Sequence, residues 1–82
     1  MSKMLIGNVN NMLKTPVQCA QVHDGNNVAS IHVYADGDVF IEVNGLMIEY
    51  NLFVDAEIVP MGLRRKVKMM VFNLTGKEEY LN

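Results

Sequence analysis

Apolar and polar positions alternate most cleanly around Asn44-Gly45. Val39, Ile41, Val43, Leu46, Ile48 and Tyr50 fall on one face of two strands, and Glu42 and Glu49 fall on the other. Asparagine and glycine tolerate the positive φ of a two-residue turn, so the pattern pairs Val43 with Leu46, Ile41 with Ile48 and Val39 with Tyr50. A slip of one residue would drive both carboxylates into the core. Turn chemistry and burial pattern agree on one register.

The Asp36-Gly37 turn is resolved the same way. A two-residue loop would pair Tyr34 with Val39 and mix the faces. A three-residue loop, Ala35-Asp36-Gly37, with Gly37 left-handed at a bulge, pairs Val33 with Val39 and Ile31 with Ile41. One strand back, a four-residue loop at Asp24–Asn27 pairs Val22 with Ala29 and Ala20 with Ile31. The expected product is a four-stranded antiparallel meander over residues 17–54.

The flanks follow other rules. Leu5, Ile6, Val9, Met12 and Leu13 gather within an arc of about 120° on a helical wheel. Ser2 can cap that segment and Thr15-Pro16 can end it, which predicts a helix over 3–13, although Gly7 and three asparagines are poor helix formers. Its expected place is against the apolar face of the meander. Toward the C-terminus, Pro60 and Gly62 break the chain. Leu63, Val67, Met70, Val71 and Leu74 suit a helix over 63–74, while Val67, Met69 and Val71 alternate with Lys66 and Lys68 as in a strand. The run Met69–Phe72 is apolar on both sides, which favours a fifth strand over 65–74. The expected fold is therefore α+β and β-rich, a single domain over 1–82: a four- to five-stranded antiparallel meander covered on one face by a short N-terminal helix. A small all-β barrel is the alternative, depending on where the last strand pairs.

Composition narrows the function classes. Half of the 82 residues are apolar, so the chain can bury a core. At this length the core supplies only about 3–5 kcal/mol, which favours self-association and leaves little for a strained active site. A net charge of −2 with a pI of about 5.5 gives no support to nucleic-acid or membrane binding. The apolar start at Met4, Leu5 and Ile6 is too short for a signal peptide, and no apolar run reaches a membrane span, so neither leader nor membrane is expected. A single cysteine, Cys19, suits a reducing, cytoplasmic compartment.

No nucleotide-binding loop, zinc motif, nucleophile elbow or calcium loop is present, so no cofactor, catalytic residue or metal ligand is assigned. Asp36-Gly37-Asp38 lacks the further oxygen ligands of a calcium loop and is a turn. The register sets His32 opposite Phe40, with Cys19 beside it and Glu42 and Glu49 on the same face; as a metal or acid–base site this set falls short on ligand count.

Two surfaces remain. Arg64, Arg65, Lys66 and Lys68 place four of seven basic residues within a short run. They suit phosphate contact, or a strand edge kept basic against edge-to-edge pairing. Phe72 is the only aromatic close in sequence, so nucleic acid is the less favoured partner. The second face of the meander carries Tyr34, Phe40, Met47 and Phe53 together with Val17 and Cys19, among Ser30, His32, Glu42, Glu49 and Asn51. Such a face is too apolar for full solvation and too polar for a core, and aromatic and methionine anchors on it suit an interface. The expectation is a non-enzymatic binding or inhibitory protein, of the broad type that phages and mobile elements use against host factors. The partner is a protein or a second copy; a structural subunit of a homo-oligomer is a further alternative.

Overall fold

The computed structural model describes residues 15–82. The helix expected over 3–13 lies outside the described residues. Four strands, β1 (Gln18–Asp24), β2 (Asn27–Val33), β3 (Val39–Val43) and β4 (Leu46–Glu49), form one antiparallel sheet in chain order. Two helices follow, α1 (Tyr50–Asp55) and α2 (Met61–Thr75), and then a short 3-10 turn, Glu78–Leu81. The sheet is open, with β1 and β4 at its edges, and does not close into a barrel.

The hairpin registers are those the alternation requires. Val43 faces Leu46 and Ile41 faces Ile48; Val33 faces Val39 and Ile31 faces Ile41; Val22 faces Ala29 and Ala20 faces Ile31. Asn44 at φ 53 and Gly45 at φ 82 are both left-handed, as a primed two-residue hairpin turn demands. Gly37 at φ 98 lets the middle loop close, with Tyr34 N donating to Asp38 O at 2.9 Å. The first hairpin is tighter than the expected four-residue loop. His23 faces Val28 and Asp24 faces Asn27, which leaves only Gly25 and Asn26 to turn.

Two expectations are corrected beyond β3. The meander stops at Glu49 rather than running to 54, and Val39 does not pair with Tyr50. Tyr50 and Phe53 are both buried, an odd spacing that a strand would split between its faces and a helix places on one side. The second correction is that residues 65–74 belong to α2 and form no fifth strand. Leu63, Val67 and Val71 are buried at a spacing of four, whereas Met69, which a strand would bury with its alternating neighbours, is 50% exposed. Pro60 stands at the N-cap and Gly76, left-handed at φ 74, closes the end by donating its N–H to Phe72 O at 2.7 Å.

Both helices pack on the inner face of the sheet, α1 over β3 and β4 and α2 over β1 and β2. The core joins Ala29, Ile31 and Ile41 from the sheet to Phe53 from α1 and to Leu63, Val67 and Val71 from α2. Among the described residues no polar or charged side chain is buried there.

Candidate functional site

With the helices on the inner face, the outer face of the sheet is set by strand alternation. Two rows of side chains cross it. Cys19, His32, Phe40 and Glu49 are successive cross-strand neighbours; Gln21, Ser30, Glu42 and Met47 form the next row. Tyr34 continues β2 and turns its ring edge to face against Phe40, with centroids 5.9 Å apart and planes at 90°. Quadrupole attraction favours that geometry and pairs two aromatic anchors at the end of the face where β2 passes into the β2–β3 loop. Met47 is 51% exposed beside them. No described element lies over this face.

Three of the four expected interface residues, Tyr34, Phe40 and Met47, thus share one surface. Phe53 does not. The helical turn of α1 carries it to the inner side, where it is fully buried in the core.

Cys19, His32 and Glu42 are drawn into a line across three strands. Cys19 Sγ lies 3.7 Å from His32 Nδ1, and His32 Nε2 lies 3.5 Å from Glu42 Oε1. That second distance is an ion-pair approach rather than a formed hydrogen bond, and Nε2 is otherwise buried and unsatisfied. Glu49 stands beyond Phe40, two strands from His32. Among the described residues no group of three or more His, Cys, Asp or Glu side chains has a geometry that could hold a metal ion. Asp36 Oδ1 accepts from Asp38 N at 3.0 Å, so the Asp36 carboxylate closes its own turn.

The basic run lies on α2 and is split between two roles; it forms no strand edge. Arg64 reaches back with Nη2 to the carbonyl oxygens of Ala56 and Val59, which fastens the α1–α2 connection. Lys66 Nζ donates to His23 O at 2.7 Å and lies 3.6 Å from Asp24 Oδ1, which ties α2 to the first hairpin. A Cβ on Gly62 would come within 2.5 Å of Asp24 Oδ2, so glycine there admits the carboxylate to the first turn of α2. The positive end of the helix dipole favours an anion at that position. Arg65 and Lys68 do not share these bonds. With Met61, Met69 and Leu81 they line an open depression of about 280 Å³.

Several exposed apolar side chains escape sequence reasoning: Leu52, Ile58, Met61, Met69 and Leu81. Met61 and Met69 become visible as outward positions only once the segment is helical. Leu46 sits on the inner side as its register requires, yet the helices do not extend over it and it is 65% exposed. With Ile58 it borders a groove of about 220 Å³ between the last hairpin and the α1–α2 connection.

No helix among the described residues is long and apolar enough to cross a membrane. Comparison with family models, with curated proteins and with solved structures finds no match to this chain.

Proposed function

We propose that the protein is a non-enzymatic binding module that docks a partner protein on the outer face of its sheet. The observation that carries this is the Tyr34–Phe40 edge-to-face pair, flanked by exposed Met47, on the face that both helices leave open. Aromatic anchors with a methionine and carboxylates on the same face have the make-up of a docking patch, in which a few residues supply most of the affinity. Glu42, between Ser30 and Met47 on β3, and Glu49, on the edge strand β4, would select a partner with cations at matching positions. The specific form proposed is inhibitory: a small domain that occludes its partner's working surface, as accessory proteins of phages and mobile elements do. A reducing, cytoplasmic setting suits its single exposed thiol.

The nucleic-acid alternative now rests on Arg65 and Lys68, because Arg64 and Lys66 are engaged within the chain. Both readings meet one experiment. The tagged full-length protein is passed through nuclease-treated lysate at moderate salt, beside a Phe40→Asp variant whose fold is checked by circular dichroism. A protein retained by the wild type and lost by the variant supports docking. A folded Phe40→Asp chain that retains every partner and the same assembly state removes the proposed surface.

A further inference from the structure

We propose that the chain associates with itself head to tail, the outer sheet face of one copy resting on the outward side of α2 of the next. Charge is segregated between these two surfaces. Helix α2 carries Arg64, Arg65, Lys66 and Lys68 and no acidic residue. The two outer rows of the sheet carry Glu42 and Glu49 and no arginine or lysine. Arg64 and Lys66 are held within the chain, so Arg65 and Lys68 are the helix cations left to meet a neighbour. Glu42 keeps 42% of its side chain exposed although His32 Nε2 stands 3.5 Å away, and Glu49 is exposed on the edge strand. Complementary charge of this kind steers two surfaces together and fixes their register.

The apolar groups and the spacing match as well. With about 100° between successive residues, Arg65 and Met69 stand on the side of α2 farthest from buried Leu63, Val67 and Val71. Lys68, Met61 and Leu81 help to line the depression of about 280 Å³ beside them. Met47, 51% exposed on β4, is a flexible side chain suited to entering it. Glu42 faces Met47 across the strand pair and Glu49 follows Met47 on the same side of β4. That diagonal sets the two carboxylate residues about 7–8 Å apart. Arg65 and Lys68, three positions apart on a helix, are about 5–6 Å apart at Cβ. Their long stems span the difference. The sheet face and the outward side of α2 lie on opposite sides of a two-layer molecule. One copy therefore cannot offer both to the same neighbour. A heterologous contact of this kind continues to a ring or a filament and does not stop at a symmetric dimer. This self-docking rests on the reading of the sheet face as a docking surface and names what covers it when no partner is bound.

The test is sedimentation equilibrium of the full chain at neutral pH. In about 0.01 M salt the weight-average mass should rise from that of a monomer at about 10 μM to more than twice that at about 1 mM. In about 1 M salt, where the Debye length falls from about 30 Å to about 3 Å, most of that rise should be lost. A mass that stays monomeric, levels off at a dimer or ignores salt overturns the proposal, and none of these readings needs a variant. Glu42→Lys with Glu49→Lys should weaken association at least about tenfold, as should Arg65→Glu with Lys68→Glu. The chain with all four substitutions keeps the net charge of −2 and should associate again. Folded double variants that associate like wild type, or a folded fourfold variant that stays monomeric, overturn the proposal equally. Capture of a partner through Phe40 is a separate reading. A monomeric wild type that still captures a partner removes the self-docking alone, and self-association without any captured partner removes the partner alone.

Discussion

The hydroxyl of Tyr50 donates to the backbone carbonyl oxygen of Tyr80 at 2.9 Å, and the two rings meet edge to face with centroids 4.8 Å apart. Tyr50 opens α1 and Tyr80 lies in the final 3-10 turn, so the pair fastens the C-terminal end of the chain to the helical layer. Tyr50→Phe keeps the ring and removes the bond. The expected loss is about 1 kcal/mol, the usual net worth of such a bond. Urea denaturation checks it, and an unchanged midpoint would show that the bond contributes nothing.

The same pair sets an alkaline limit. Burial, with Tyr80 adding repulsion, pushes the Tyr50 hydroxyl from 10.0 up to about 12. Tyr80 is raised as well, first by burial and then by Glu79 and Asp38. A raised folded-state value means the unfolded chain loses its proton first, so ionisation favours unfolding. For Tyr50, stability should be unaffected below about pH 10 and decline between about 10 and about 12. Urea midpoints across an alkaline series measure this, and Tyr50→Phe should show a clearly shallower decline. Equal slopes for the two chains would contradict the assignment.

Arg64 and Arg65 are neighbours in sequence with opposite expectations. Arg64→Ala removes the side-chain donor to the carbonyls of Ala56 and Val59, of which Ala56 O still accepts from Val59 N, and should destabilise the fold by about 1–3 kcal/mol. Arg65→Ala, on the outward side of α2, should change stability by less than about 0.5 kcal/mol. Thermal melts of the two variants decide it; similar losses would mean that Arg64 does not anchor the connection.

Leu63 is 1% exposed at the start of the buried stripe of α2. Leu63→Ala should cost about 2–5 kcal/mol through lost burial and a cavity. That approaches the whole stability of a core this small. Circular dichroism should show a chain largely unfolded at modest temperature, whereas Met69→Ala on the exposed side should melt close to wild type.

The three hairpins were legible in the sequence because two independent constraints coincide at each: turn residues that accept positive φ, and alternation that admits one register. Tyr34, Phe40 and Met47 were legible for the same reason, since a known register assigns faces. Beyond Glu49 one of these constraints lapses. Phe53 was misplaced by extending strand alternation into a segment that had become helical. In α2, Val67, Met69 and Val71 satisfy a period of two while Leu63, Val67, Val71 and Leu74 satisfy one of 3.6, and only the packing of the helix on β1 and β2 separates them. The roles of Arg64 and Lys66 were hidden for a different reason. They depend on carbonyls of Ala56, Val59 and His23, which the tertiary fold brings within reach and no local pattern marks.

The docking claim is tested most directly by comparing the two sides of the molecule against the same captured partner. Met47→Asp alters the outer face of the sheet at an exposed position, and the double variant Arg65→Glu, Lys68→Glu alters the outer side of α2. Calorimetric titration should show at least about tenfold weaker binding for Met47→Asp, within the range that interface anchors contribute, and near-wild-type binding for the double variant. Undiminished binding by Met47→Asp, with loss in the double variant, would contradict the account and move the interface to the helical side.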